Sequence, residues 1–214
     1  NVVFLSGVFM LGGLASRRVL MVVSSQLVNQ LRQTQQAVLE ARQEAEEAIS
    51  NTEEGKIVAE ATERIQALQE DKAKVLESDV QSIIGKLENW RSREPYDRRP
   101  TIYIGRLLRW QGRYAYAAKS LEKFIDYKRQ RREFDEDYAD VLYNKACYLA
   151  IDSAQAPDPG AKEQCLTGAL EALEESIKYN SSNARDAWQD GDFDSIRDDA
   201  KFLNLVGQQK DPSL

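Results

Sequence analysis

Two segments in the C-terminal half of this 214-residue chain repeat one design, a pair of amphipathic helices. The first, Pro100–Tyr127, reads PTIYIGRLLRWQGRYAYAAKSLEKFIDY. The second is split into ADVLYNKACYLA (Ala139–Ala150) and GALEALEESIKYN (Gly168–Asn180). In both, the second helix carries A-x3-L with a further bulky apolar residue behind it. One such pair cannot bury its apolar face alone. Stacked pairs bury a continuous core and present an extended surface instead of an enclosed pocket. The repeat therefore predicts an all-α fold and a binding role.

Composition supports the helical reading. The chain has only 11 Gly and 5 Pro and is rich in Ala, Leu, Glu, Gln, Lys and Arg, which lose little freedom in a helix. It has no histidine, which removes the commonest general base and the commonest metal ligand. Cys147 and Cys165 lack a metal-ligand spacing and read as small buried apolar residues. There is no phosphate-binding loop and no nucleophile with a His partner. The carboxylates at Asp190–Asp194 and Asp198–Asp199 lack the order of a calcium loop and read as helix caps. No catalytic residue, metal or cofactor is expected.

Charge is distributed unevenly. Residues 1–90 carry 9 basic and 13 acidic side chains, residues 91–132 carry 13 and 4, and residues 133–214 carry 7 and 18. A basic waist thus separates two acidic parts. Within it Lys128, Arg129, Arg131 and Arg132 form a basic surface. It reads either as a solvated helix end favoured by the dipole or as a contact for an anionic membrane surface or acidic partner. Trp110, Tyr114 and Tyr116 are interleaved with Arg, but at a helical spacing that reads as core, and the acidic C-terminal part repels a polyanion. No nucleic-acid partner is expected.

The first 16 residues carry no charge and are followed by Arg17 and Arg18. As a helix they span about 24 Å, slightly short of a bilayer core of about 30 Å. A few more apolar residues upstream would complete a span, with the Arg pair as its cytoplasmic flank. Residues 1–23 are thus expected to be a single-pass membrane anchor with the remainder on the cytoplasmic or equivalent side. Burial of this segment against a partner protein is the competing reading, and a signal peptide fits less well.

Residues 24–94 read as a long polar helix. Residues 24–93 hold no proline, and apolar residues recur at 3–4 spacing: Leu27, Leu31 and Val38, then Val58, Ile65, Leu68, Val75, Ile83, Leu87 and Trp90. A coiled-coil-like stalk follows, extended over roughly 100 Å if continuous; Asn51 and Gly55 are the only expected breakers, and a break near Gly55 would fold the halves back as an antiparallel hairpin. It offers a route to homo- or hetero-oligomers.

Residues 95–100 form a linker, and Pro100 suits the first turn of the next helix. From about residue 98 to 207 the chain resembles the tetratricopeptide repeat family, whose 34-residue unit follows W-x2-L-G-x2-Y…A-x3-F…P. Thr101, Ile104, Gly105 and Leu108 stand at first-helix positions. Gln111–Tyr114 resembles the family's turn, and Ala117, Leu121 and Phe124 follow as the second helix. In the second copy Leu142, Ala146 and Leu149 pair with Ala169, Leu173 and Ile177. There Lys145 replaces an apolar residue, and the turn is expected to expand over Asp152–Thr167. Trp188, Phe193, Ile196, Phe202 and Leu205 resemble the anchoring face of a terminal capping helix, and residues 208–214 form a tail.

The resemblance implies a concave face lined by the first helices, offering Arg99, Ile102, Arg106, Arg109, Tyr143, Asn144 and Cys147. Some family members clamp a partner's C-terminal carboxylate, and of that clamp only Asn144 stands at a matching place. An Arg-lined groove still favours an acidic or C-terminal segment. Two repeats are fewer than the three helix pairs a stable array needs, so the expanded loop, the stalk's C-terminal end or a partner must complete the core. The sequence as a whole reads as a membrane-anchored adaptor or assembly protein. The alternative is a structural subunit whose N-terminal helix and coiled coil are buried against other chains.

Overall fold

The computed structural model describes residues 52–207. The expected anchor at 1–23, the first half of the long helix and the tail at 208–214 lie outside the described residues. Within them every regular element is helical: α1 (Glu53–Asp71), a 3-10 turn (Lys72–Lys74), α2 (Glu77–Arg93), α3 (Arg98–Trp110), α4 (Tyr114–Arg131), α5 (Glu136–Gln155), α6 (Pro159–Tyr179), α7 (Ser182–Gln189), a second 3-10 turn (Gly191–Ile196) and α8 (Ala200–Gly207). Among these, no helix is long and apolar enough to cross a membrane.

The expected continuous helix over 24–94 does not run through its described part. The chain turns at Lys72–Leu76, beyond both anticipated breakers. No Gly or Pro is involved: Asp71 leaves the helical region at φ −156°, its carboxylate accepts the Ala73 N–H at 3.1 Å, and Val75 and Leu76 are extended. Helix α2 then runs antiparallel to α1, in a register marked by Glu54–Arg93 (3.5 Å), Glu60–Lys86 (2.6 Å) and Arg64–Asp79 (3.5 Å).

In the described residues, the apolar stripe that reads as a coiled-coil seam faces the chain's own core. Ile57, Ala61, Ile65 and Leu68 of α1 and Val80, Ile83, Leu87 and Trp90 of α2 are buried in one cluster with α3 to α6. Complete burial of each large side chain contributes about 1.5–3 kcal/mol. The stalk's C-terminal end thus forms a third helix pair.

From α2 onward each helix packs on the next, and the first helices α3 and α5 also touch. This is a helical-repeat architecture. Gly105 sits where α3 meets α4 and α5: a Cβ there would lie 3.0 Å from the Tyr148 ring and 3.2 Å from Leu121 Cδ2. The turn after α3 needs Gly112, whose φ is +76°.

The second pair is joined differently from the expected Asp152–Thr167 expansion. Only Ala156–Asp158 leave the helices, because Asp158 caps α6 by accepting the Gly160 and Ala161 N–H groups (2.9 and 3.0 Å) and Pro159 occupies its first position. The additional residues lengthen α5 and α6. Lys145 is half-buried and pairs with Glu122 of α4 at 2.7 Å, so a charge replaces the apolar contact without a loss of partnering.

The cap packs through Phe193, Ile196 and Phe202, all buried, with Leu205 half-buried. Trp188 does not join this anchoring face and is 50% exposed. The inner face of the short helix α7 is made by Asn183, Ala184 and Ala187, which turns the next residue outward. Tyr116 likewise departs from the core reading at 58% exposure, with the Arg113 guanidinium 4.7 Å above its ring.

Candidate docking groove

On α3, Arg99, Ile102, Arg106 and Arg109 recur every three or four residues and so form a stripe along the helix. Helix α5 lies alongside and contributes Tyr143 and Asn144. Between the two helices runs a groove of about 490 Å³, walled at its far side by Asn183 and Asp186 of α7. Five of the expected partner-binding residues (Arg99, Ile102, Arg106, Tyr143 and Asn144) line it together. Arg109 and Cys147 do not.

Most of its polar groups are already engaged. Arg99 holds Asp97 at 2.6 Å and lies 4.9 Å over the Trp90 ring, and the hydrogen bond to Asp97 raises its pKa. Arg98 pairs with Asp137 (3.0 Å) and with Asp140. Asn144 donates its amide N–H to the Asp140 carbonyl, one turn back on its own helix, at 2.8 Å. Asn183 is buried and donates to Ser176 Oγ at 2.7 Å, a structural link within the C-terminal part. Arg106 differs: it is exposed and makes no ion pair among the described residues.

Arg109 faces the cap. Its guanidinium pairs with Asp192 and lies 4.7 Å from the Trp110 ring centroid. Burial raises the Asp192 pKa, against the opposing charge of Arg109. Two residues earlier in the same cap segment, Asp190 accepts the Tyr143 hydroxyl at 3.0 Å and lies 3.8 Å from Cys147 Sγ. Burial pushes the Tyr143 hydroxyl and the Cys147 thiol upward, so both remain protonated donors. Ligand atoms of Cys147, Asp190 and Asp192 converge within 4.8 Å. Their hydrogen bonds run to Arg109 and Tyr143, and the cluster acts as a latch between cap and first helices.

The basic surface is divided: Lys128 is internal, whereas Arg129, Arg131 and Arg132 are exposed. Lys128 is buried, with only 7% of its side chain exposed, and pairs with Asp135 at 2.6 Å. Burial opposes both charges, but the hydrogen bond between them prevails, raising the pKa of Lys128 and lowering that of Asp135. Arg129 reaches Glu175 at 2.5 Å and donates to the Tyr138 hydroxyl at 2.9 Å. Burial and the Glu175 carboxylate push that hydroxyl up to about 12. Arg131 lies over the Tyr127 ring, and Arg132 ends α4 in the left-handed region at φ 60°. Two of the four cations, buried Lys128 and exposed Arg129, therefore fasten α4 to α5 and α6, while Arg131 and Arg132 extend the exposed part.

Arg98, Tyr103, Asp140, Asn183 and Asp186 also line the groove without being expected there. Tyr103 and Asp140 each neighbour a recognised position along a helix; Asp186 reaches the groove only through the cap and leaves no local signal. A wider depression of about 700 Å³ crosses α4, α5 and α6, with Lys119, Glu122, Lys145, Glu163 and Glu171 on its walls and no single sign of charge. No protein-family model matches the chain, and neither a curated protein nor a solved structure matches it.

Proposed function

We propose that this chain is a tetratricopeptide-like adaptor that docks a protein partner in the α3–α5 groove, held at a membrane surface by residues 1–23. One observation carries the docking reading. An open groove between the first helices of consecutive pairs presents a single uncommitted cation, Arg106, beside the apolar and aromatic surface of Ile102 and Tyr143. A packed helical array with an exposed groove and no acid–base or nucleophile pair in it is suited to holding a peptide, not transforming one. Tethering adds effective concentration: docking at a surface confines the partner to the neighbourhood of other membrane-bound chains.

The test is site-specific photocrosslinking from position 102 of the full-length chain in native membranes. A discrete crosslinked species is expected, and it is expected to be lost in Ile102→Asp with helicity retained by circular dichroism. Equal crosslinking from exposed positions on α1 and none from position 102 would move the contact away from the groove and favour a structural subunit in a larger complex. Release of the chain from membranes by a salt wash would remove the anchor.

A further inference from the structure

The α3 stripe contains three arginines with different fates. Arg99 at one end is satisfied by Asp97, and Arg109 at the other end by Asp192. Arg106 stands between them and lacks a carboxylate among the described residues. Two of the three cationic positions on this face are therefore occupied by the chain's own acids.

The occupant of the Arg109 position shows what the face accepts. Asp192 is followed by Phe193, which is fully buried and lies edge-on to the Tyr143 ring, with centroids 5.7 Å apart. A carboxylate against an α3 arginine and an aromatic side chain against an α5 tyrosine thus already make one docked acidic–aromatic step. The same two components, a cation and half-buried apolar surface, recur one helical turn earlier as Arg106 with Ile102 and Tyr103. That second position is open.

Resting on the docking reading above, we infer that the groove takes an internal peptide segment carrying one carboxylate next to an aromatic residue, with Arg106 receiving the carboxylate. Charge limits the number of acids to one. Asp140 and Asp186 also line the groove, and Arg98 is already held by Asp137 and Asp140. A second negative group on the ligand would face these acids without a free cation to offset them. A free chain terminus directly after an acidic residue brings two negative charges, so the site disfavours an acidic residue at a free terminus against the same residue within a segment.

The probe is an amide-capped peptide carrying a neutral BODIPY label and copying residues 189–195 (Gln-Asp-Gly-Asp-Phe-Asp-Ser) with its first and last Asp changed to Asn, titrated by anisotropy into the full chain in detergent. Saturable binding is expected. Arg106→Gln should weaken it at least tenfold and Arg106→Lys by less; changing the remaining Asp to Asn or the Phe to Ala in the peptide should each weaken it at least fivefold. A peptide ending Phe-Asp with a free terminal carboxylate should bind less well than the same Phe-Asp peptide with an amide cap. Binding that is absent, or unchanged by Arg106→Gln or by the uncharged peptide, overturns the inference. Crosslinking from position 102 that survives Arg106→Gln but not Ile102→Asp would retain the docking reading and discard the carboxylate site. Peptide binding without any crosslinked partner would do the reverse.

Discussion

The two central helix pairs reach similar packing by different local means. The first is short, 13 residues in α3 and 18 in α4, and turns through Gly112. The second is longer, 20 residues in α5 and 21 in α6, and turns through three residues that end in a capping aspartate, with a proline opening α6. In the first pair the turn depends on a backbone shape that only glycine adopts readily. In the second it depends on a side-chain cap, with ordinary backbone angles. The added length of α5 also has a use: the Ala150 carbonyl accepts the Ser195 hydroxyl at 3.0 Å, and the cap's 3-10 segment packs along this helix. Helix faces thus set how the pairs stack, while the turn is interchangeable and the excess length becomes a seat for the cap.

Substitutions at these points can break or sharpen that contrast. The largest effect is expected for Gly105→Val. New atoms would enter where even a Cβ lies 3.0 Å from a buried tyrosine ring, and the loss should be about 3 kcal/mol in urea unfolding. Next is Gly112→Ala, which forces φ +76° on a residue with a Cβ and should cost about 1–2 kcal/mol. Asp158→Ala should remove about 1 kcal/mol by uncapping α6. A silent Gly112→Ala beside a strongly destabilising Asp158→Ala would reverse the roles assigned to the two turns. The smallest effect is at Gly168 of α6, where a Cβ would meet only the mobile end of Leu149 at 3.2 Å. There Gly168→Ala should be neutral or stabilising by about 0.5 kcal/mol, through helix propensity.

The same contrast shows which parts of the molecule are legible in the sequence. Gly112 was readable because a glycine between two amphipathic runs has few other uses. Asp158–Pro159 was not, since Asp-Pro marks a loop as readily as a helix start, and the reading of an expanded turn followed. The stripe from Val58 to Trp90 has the period of a coiled coil because a helix buries the same face against another chain or against its own domain. The break at Asp71 rests on a polar side chain that also suits a helix surface.

For the groove, position along α3 and α5 was enough to bring Arg99, Ile102, Arg106, Tyr143 and Asn144 together. Helical spacing could not show which charges were free. Arg109 meets its partner 83 residues away, and Arg129 meets Glu175 from 46 residues away. Such pairings belong to tertiary structure and leave no trace in local pattern.

That 83-residue contact changes how the molecule comes apart. In an array whose helices touch mainly their neighbours, the ends fray independently and opening spreads inward pair by pair. Here the Arg109–Asp192 pair and the Tyr143–Asp190 hydrogen bond tie the start of the cap's 3-10 turn to α3 and α5, across the intervening α6. The described array behaves as a loop closed on itself at its C-terminal end, so that end gains the cooperativity of the centre. Arg109→Gln should therefore speed amide exchange in α8 and α3 together while leaving α1 unchanged; exchange accelerated in α8 alone would show that the cap opens as a separate unit.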